Sequence, residues 1–313
     1  MPPLVIQAEE LDPVCAAWLG ERCELVVCPF ESQPRFNELL ARAEGLVVRT
    51  YTRVDAPLLE RAPRLRVVGR AGVGLDNVDI PACKARGVTV VSTPDANTRA
   101  VTELVFAFML DALRPRVFLD RALPMAEWRK LRKELNAPRQ LSDLTLGVLG
   151  LGRVGRSVAQ IGSAFRMRVI YNDLLEVPAS NRQGATPVEI ERLFRESDIL
   201  SIHIDGRPSN AGFIDAAKLS WCRDDVLFIN ASRGLVLDAR ALAAFLETHP
   251  AAQAVLDVHD PEPFGADYPL VGNPRAHLAP HIGAATATAN RNMSWVVRDV
   301  WRVLAGEPPE FPA

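Results

Sequence analysis

A short apolar run that leads directly into three spaced glycines most constrains how this chain can fold. Residues 146–149 are apolar, and Gly150, Gly152 and Gly155 follow in the pattern Gly-x-Gly-x-x-Gly before a helix-like segment. In this order the first glycine permits a tight turn, the second lets a ligand approach the backbone, and the third lets the helix pack on the sheet. Unpaired N–H groups at the helix start favour anions. The pattern therefore predicts a dinucleotide-binding strand–turn–helix unit, and the alternative is a glycine-rich turn without a ligand.

An acidic residue follows the next candidate strand, 167–172, at Asp173. A carboxylate at this place accepts hydrogen bonds from the hydroxyls of a ribose and repels a 2′-phosphate. The sequence thus predicts NAD rather than NADP as the cofactor.

Composition narrows the class of protein. The 313 residues suffice for two domains, 48% of them are hydrophobic, and the net charge is −2, so no strong attraction to nucleic acid or membranes is expected. The N-terminus reads as a first strand and not as a signal peptide, and no apolar run is long enough to cross a bilayer. Five cysteines without a Cys-x-x-Cys pair predict reduced thiols in a cytoplasmic protein.

Two successive alternations of short apolar runs and helix-like stretches predict two parallel sheets. We expect an α/β fold with two doubly wound domains, in which a Rossmann domain is inserted into the other. The expected domains are 1–98 plus 287–313, and 99–286. The candidate strands are 4–8, 24–28, 45–49, 65–69, 88–92, 145–150, 168–172, 198–203, 226–230 and 253–257.

Several helix limits follow from local signals. We expect a helix that Asn77 caps, that runs to Arg86 and that Gly87 ends. We also expect a long helix over 99–120 that Pro115 kinks or ends, and a closing helix over 287–305. The charged stretch 128–142 is typical of a solvated face.

Three polar residues each follow a predicted strand or apolar run: Arg233, Glu262 and His281. Because ligands gather at the carboxyl ends of strands in open α/β sheets, all three are expected to meet in one cleft. A histidine exchanges protons near neutral pH, a carboxylate orients it, and a guanidinium grips a substrate carboxylate. Individually, the three could be a surface ion-pair partner, a solvated loop acid and an exposed loop histidine. In this order after the glycine motif, they favour hydride transfer at C2 of a 2-hydroxy acid.

The other histidines support weaker interpretations. His277 and His281 are four residues apart, but Pro280 lies between them and no acid completes a ligand set, so no metal is predicted. His203 and His259 end predicted strands and are expected to line the cleft.

Together with these motifs, segments 67–79 and 97–104 give the chain a resemblance, over nearly its whole length, to the D-isomer-specific 2-hydroxyacid dehydrogenase family. The resemblance implies a flavodoxin-like substrate domain, a Rossmann NAD-binding domain and a homodimer. It implies a catalytic set of Arg233, Glu262 and His281. Residues implied in cofactor binding are Gly150, Gly152, Arg153, Val154, Gly155, Asp173, Ala231, Ser232, Asp257, Ile282, Gly283 and Ala284. Residues implied in substrate binding are Arg49, Arg70, Gly72, Val73 and Asn97.

Departures from the family pattern bear on the substrate. His259 stands where an aromatic or aliphatic residue is usual, and 204–208 replaces a more apolar segment. Candidate substrates are 3-phosphoglycerate, glycerate, and glyoxylate or hydroxypyruvate in the reverse direction. Longer members carry a regulatory domain after the closing helix, which we do not expect here. An NAD(H)-sensing, corepressor-like protein of the same fold is the main alternative function. A methyltransferase would not explain the three polar residues.

Overall fold

The computed structural model describes residues 2–114 and 116–313, and its contacts divide the chain into two compact units. Unit 1 comprises Met1–Asn97 and Ala284–Ala313, and unit 2 comprises Thr98–Gly283. The sequence-based boundaries were after residues 98 and 286.

In the described residues the strands and α-helices alternate along most of the chain. The strands are β1 (Leu4–Gln7), β2 (Glu24–Val27), β3 (Gly45–Val48), β4 (Val67–Arg70), β5 (Thr89–Val91), β6 (Thr145–Leu149), β7 (Arg168–Asn172), β8 (Thr186–Pro187), β9 (Ile199–Ile202), β10 (Leu227–Asn230), β11 (Gln253–Leu256) and β12 (Ala276–Leu278). The helices are α1 (Pro13–Gly20), α2 (Gln33–Leu40), α3 (Ala56–Glu60), α4 (Ile80–Ala85), α5 (Thr98–Leu113), α6 (Met125–Glu134), α7 (Arg153–Ala164), α8 (Ile190–Glu196), α9 (Ala216–Leu219), α10 (Ala239–Thr248), α11 (Ala287–Ser294) and α12 (Val297–Leu304).

Each unit contains one parallel sheet. In unit 1 the strand order is β2-β1-β3-β4-β5, which is the flavodoxin-like order. In unit 2 the order is β12-β11-β10-β9-β6-β7-β8, which is the Rossmann order extended by one strand at the β12 edge. The α/β class predicted from the sequence is confirmed, with its switch point in unit 2 between β6 and β9.

Both faces of both sheets are covered, which explains why central strands such as β3, β9 and β10 are buried at every position. The four apolar clusters that cover the faces contain, among others, Phe36, Leu40 and Leu46; Val5, Val67 and Val300; Val105, Leu146 and Val158; and Phe194, Phe228 and Leu242.

Aspartate carboxylates begin several helices by accepting backbone N–H groups of the first turn. Asp12, Asp55, Asp79, Asp215 and Asp238 do so for α1, α3, α4, α9 and α10. This corrects one expectation, because α4 begins at Ile80 after Asp79 and not at Asn77. The Asn77 amide instead donates to the Arg49 and Thr52 carbonyls, so it braces the loop after β3.

Three other helix and strand limits differ from the sequence-based ones. The long helix ends at Leu113, and Pro115, to which its kink or end was assigned, lies outside the described residues. The charged stretch contains helix α6, and the short edge strands β8 and β12 were not predicted.

The closing helix predicted over 287–305 is two helices. The N–H groups of Val296, Arg298 and Asp299 bond to carbonyls three residues back, at 3.2, 3.0 and 3.0 Å. This tighter winding interrupts the α-helical bonding pattern between α11 and α12.

Candidate active site

The three glycines form a tight turn between β6 and α7. Gly150 has a φ of +90°, and a Cβ built on it would lie 2.8 Å from the carbonyl oxygen of His203. A Cβ on Gly155 would lie 2.0 Å from the Gly150 oxygen. Larger residues are therefore excluded at both positions by backbone contact. A Cβ on Gly152 would meet no atom within 4 Å, so this glycine leaves open space beside its backbone.

The start of α7 provides the groups that an anion requires. Gly152 is its N-cap and makes no side-chain capping bond, so the N–H groups of the first turn are not capped by that residue. Arg153 is exposed and Val154 is half-buried at this end of the helix. These features fit a dinucleotide pyrophosphate.

Asp173 directly follows β7 and faces the glycine turn. Its Oδ2 accepts the Leu151 N–H at 2.6 Å, and its Oδ1 accepts the Leu175 N–H at 2.8 Å. Each carboxylate oxygen has a second lone pair, so the group can still accept hydrogen bonds from a ribose diol. Asp173 lines a surface hollow with other residues that include Leu174, Arg182 and Val188.

Glu262 and His281 form a hydrogen-bonded pair. Oε2 of Glu262 lies 2.7 Å from Nδ1 of His281, and Oε1 accepts the backbone N–H of His259 at 2.7 Å. Because the carboxylate accepts at Nδ1, the tautomer in which Nδ1 carries a proton is favoured and Nε2 is left for other chemistry. His281 has a φ of +55°, which is rare for a residue with a side chain.

The pair shifts both ionisation equilibria. The hydrogen bond to Glu262 raises the pKa of His281, although burial opposes this and the Arg233 charge also lowers it. Burial alone would raise the pKa of Glu262, but hydrogen bonds from His281 and the His259 N–H outweigh burial and lower it. Both shifts favour the imidazolium–carboxylate form of the pair.

Asp257 holds the loop that carries His281. Its Oδ1 and Oδ2 accept the N–H groups of Ile282 and Gly283, each at 2.8 Å. Asp257 is only 1% exposed, and burial raises its pKa although both hydrogen bonds lower it. Asp257, which the family resemblance implies in cofactor binding, thus has a structural task as well. Ala284, which the resemblance also implies in cofactor binding, belongs to unit 1.

Arg233 lies in a turn that follows β10. The buried Asn230 side chain shapes this turn, because its amide donates to the Arg233 carbonyl at 2.9 Å and its oxygen accepts the Ser232 N–H at 3.0 Å. Ala231 is half-buried beside them. A Cβ on Gly234 would lie 1.9 Å from the His259 backbone, so the turn packs directly on the segment that leads to Glu262.

The predicted substrate-binding residues all lie in unit 1. The Arg49 guanidinium donates to Asn290 Oδ1 at 2.7 Å, and its backbone N–H donates to Glu9 at 2.9 Å. The Glu9 carboxylate also accepts the N–H groups of residues 50–52, at 2.8 to 3.1 Å. This carboxylate therefore organises the whole loop after β3.

Arg70 and Gly72 are close together at the end of β4. A Cβ on Gly72 would lie 1.6 Å from Arg70 Nη1 and would displace this guanidinium, and the φ of +151° at Gly72 is one that residues with a side chain rarely adopt. Val73 and Asn97 are half-buried.

Sequence reasoning missed the supporting residues Glu9 and Asn230, and it missed the support that His259 provides. Each is a polar residue at or just beyond the end of a strand, and this position was the available signal. His259 was expected to line the cleft and differs from the family pattern, but its bonds to the loops of Glu262 and His281 were not foreseen.

Among residues 2–114 and 116–313, no group of three or more His, Cys, Asp and Glu side chains is placed to hold a metal ion. In the same residues, no helix is both long and apolar enough to span a membrane.

Comparison with known sequences identifies one family. The profile of the D-isomer specific 2-hydroxyacid dehydrogenase, NAD binding domain, matches residues 106–283. This segment coincides with most of unit 2, including the glycine turn, Asp173, Glu262 and His281.

Individual relatives match over nearly the whole chain. D-3-phosphoglycerate dehydrogenase of Mycobacterium tuberculosis is 36% identical over 307 residues, which are 97% of this chain and 57% of that protein. Glyoxylate reductase of Aeropyrum pernix is 33% identical over 305 residues, covering 95% of this chain and 91% of that one. The crystal structure of an NADPH-dependent glyoxylate/hydroxypyruvate reductase from Sinorhizobium meliloti, in complex with NADP and malonate, has a TM-score of 0.84 at 26% identity and covers 100% and 97% of the two chains. The chain thus spans little more than half the length of the first of these relatives.

Proposed function

The chain belongs to the D-isomer specific 2-hydroxyacid dehydrogenase family, and from this premise we propose that it is an NAD-dependent oxidoreductase. The proposed reaction interconverts a D-2-hydroxy acid and its 2-keto acid. In this proposal unit 2 is the NAD-binding domain and unit 1 is the substrate domain.

One observation carries the proposal: a hydrogen-bonded Glu262–His281 pair and an open glycine turn both lie at the carboxyl ends of the strands of unit 2. The strands of unit 2 are parallel, so β6, β11 and β12 present their carboxyl ends on one side. An acid–base pair beside a dinucleotide site is what hydride chemistry at an alcohol carbon requires.

The roles of the pair follow from its hydrogen bond. NAD, when bound, accepts or supplies the hydride at C2. In the direction of reduction, Nε2 of His281 gives its proton to the ketone oxygen, and in the direction of oxidation it takes the hydroxyl proton. Glu262 keeps the imidazole in the required tautomer and stabilises its charged form.

Substrate binding is assigned to arginine and backbone donors. Arg233 provides a planar guanidinium for the substrate carboxylate. In unit 1, the backbone at Gly72 and Val73 and the side chains of Arg49, Arg70 and Asn97 are proposed to bind the substrate, as the family resemblance implies.

The cofactor assignment rests on Gly152, Asp173 and the start of α7. The open space at Gly152 and the first turn of α7 suit a pyrophosphate, and Asp173 suits a ribose with a free 2′-hydroxyl. Arg153, Val154, Ala231, Ser232 and the loop over 282–284 complete the proposed cofactor contacts.

A panel of 2-keto acids tests the function and the substrate together. Purified protein is mixed with NADH or NADPH and with hydroxypyruvate, glyoxylate, pyruvate or 3-phosphohydroxypyruvate, and cofactor absorbance is followed. We expect steady oxidation of NADH with at least one acid, and slower oxidation of NADPH. Binding of NADH without turnover of any acid would instead favour the NAD(H)-sensing alternative.

We also propose a homodimer formed through helix α6. This helix buries none of its residues within the chain, although Met125, Trp128 and Leu131 lie on one of its faces. Phe118, which precedes it, is 84% exposed. Light scattering should give a dimer for the wild type and a monomer for Trp128→Lys combined with Phe118→Glu.

A cytoplasmic location is the last part of the proposal. All five cysteines are buried and unpaired, which suits a reducing compartment. Fractionation of cells that produce the protein would test it.

A further inference from the structure

His259 is a buried histidine that the reaction proposed above does not use. It is 5% exposed and lies just after β11. Its ring makes edge-on contacts with Phe264 and Tyr268, with centroids 4.6 and 5.5 Å apart. An aromatic residue would make the same contacts, so packing alone does not explain an imidazole here.

The polar atoms of His259 join the two loops that carry Glu262 and His281. Its backbone N–H donates to Glu262 Oε1 at 2.7 Å, and its Nε2 lies 2.8 Å from the carbonyl oxygen of Ala279. A carbonyl oxygen only accepts, so Nε2 carries the proton of this bond. The bond therefore fixes the backbone two residues before His281.

His281 needs such support because of its backbone conformation. A φ of +55° is unfavourable for a residue with a Cβ, and it persists only where neighbouring contacts hold the chain. On the C-terminal side, Asp257 holds Ile282 and Gly283. On the N-terminal side, Ala279 is held by two bonds. Its N–H donates to the Leu256 carbonyl at the end of β11 at 2.8 Å, and its carbonyl accepts from His259 Nε2 in the loop that follows.

We infer that His259 is a positioning residue that holds the His281 loop at the distance and angle at which Glu262 reaches Nδ1. The inference rests on the proposed function. It gives a role in this reaction to the histidine at position 259, where the family usually has an aromatic or aliphatic residue. Loss of the Nε2 donor would let the segment 279–281 move and would lengthen the bond between Glu262 and His281. Small displacements of a catalytic group lower turnover more than they change cofactor binding.

Charged groups lie near both histidines. Glu262, Asp257 and Arg233 act on His281, and Asp260 and Glu262 lie near Tyr268, which packs on His259. A weaker bond to Glu262 removes the largest influence that raises the pKa of His281, so this pKa should fall.

The test compares His259→Phe with His259→Gln. Phenylalanine keeps the aromatic contacts and lacks the N–H that donates to the Ala279 carbonyl. The glutamine side chain places an amide N–H donor at about the same distance from the backbone as Nε2. For His259→Phe we expect kcat for keto-acid reduction to fall about tenfold, KM for NADH to stay within about twofold, and activity to be lost at lower pH than in the wild type. For His259→Gln we expect recovery to within about threefold of the wild type. The control is His249→Phe, which replaces a histidine stacked on Phe245 in α10 and should change neither quantity.

A second readout does not depend on turnover. The His281 imidazole is titrated by NMR in the wild type and the variants, with its signal assigned from His281→Gln. A lower His281 pKa in His259→Phe supports the inference even if no keto acid is turned over, which would count against the proposed function alone. If His259→Phe does not fold, His259→Leu removes the same donor with less aromatic bulk.

Two results would overturn the inference. One is a folded His259→Phe protein with wild-type kcat and wild-type His281 titration. The other is equal impairment of the Phe and Gln variants with an unshifted pH profile, which would mean that His259 acts through packing only.

Discussion

Glu9 in unit 1 and Asp257 in unit 2 occupy corresponding places in their sheets. Each follows a strand, β1 or β11, and each accepts backbone N–H groups of the loop after a neighbouring strand, β3 or β12. Burial raises the pKa of both carboxyl groups. For Glu9, bonds from four N–H groups outweigh burial and the pKa is lowered, whereas for the more buried Asp257 two bonds do not suffice and the pKa is raised.

The difference separates a loop held firmly from a loop held under strain. The loop after β3 is organised by an anion that prefers its charged form. The loop after β12 carries His281 at a positive φ and depends on a carboxylate whose charge is disfavoured by burial. Strained backbone of this kind is frequent at reactive sites. We therefore expect changes to the second loop to affect turnover most, and changes to the first to appear mainly in stability.

The largest expected effect comes from His281→Ala. Removal of the proton donor should lower kcat for keto-acid reduction by about 10² to 10⁴-fold while NADH binding, followed by fluorescence, is retained. His277→Ala, an exposed position on β12, is the matched control. A kcat within about tenfold of the wild type would exclude His281 as the acid–base group.

The next effect in size comes from Glu262→Gln, which should lower kcat about 10 to 100-fold. Glu262 raises the pKa of His281, so the amide should lower that pKa. Reduction needs the protonated imidazole, whose fraction falls as pH rises through the pKa. Reduction by the variant should therefore be lost at lower pH than in the wild type. A pH–rate profile with the wild-type midpoint would contradict this role of the carboxylate.

A smaller effect is expected at Asp173, a third carboxylate that accepts loop N–H groups. Asp173→Ala should raise KM for NADH about tenfold. It should also reduce the ratio of kcat/KM for NADH to kcat/KM for NADPH. Steady-state kinetics with both cofactors provide the measurement. An unchanged ratio of the two kcat/KM values would mean that Asp173 only braces the glycine turn.

The smallest effect is a pair of opposite pH trends in stability. Glu9→Gln should cost about 1 kcal/mol at neutral pH, and the difference should shrink as pH falls through the lowered pKa, because the stabilisation by Glu9 requires its charge. For Asp257 the raised pKa means that its contribution declines as pH rises from the ordinary aspartate range through that pKa, so Asp257→Asn should gain stability relative to the wild type as pH rises. Hydrogen exchange at the amides of residues 50–52 and 282–283 measures each loop separately. If the stabilities of the two variants, relative to the wild type, changed with pH in the same direction, the proposed difference between Glu9 and Asp257 would be contradicted.

Local patterns predicted much of the architecture. The glycine spacing at 150–155 predicted the turn between β6 and α7, and apolar runs predicted ten strands close to their observed limits, because both signals depend on a few adjacent residues. Helix ends were less accurate. Asp79, and not Asn77, caps α4: the Asp79 carboxylate accepts the Ala82 N–H, and the Asn77 amide donates to carbonyls of the loop after β3. The roles of Arg233, Glu262, His281 and the cofactor- and substrate-binding residues stay predictions.

The sequence by itself determined the α/β class and the family, because residue type and short-range order specify these. Only the tertiary structure decided that Glu262 reaches Nδ1 of His281, that His259 bonds to Ala279, and that Glu9 holds the loop after β3. These partners are 19, 20 and 40 or more residues apart. Their meeting depends on which strands are neighbours and in what register, and this is set by packing of the whole sheet rather than by any local segment.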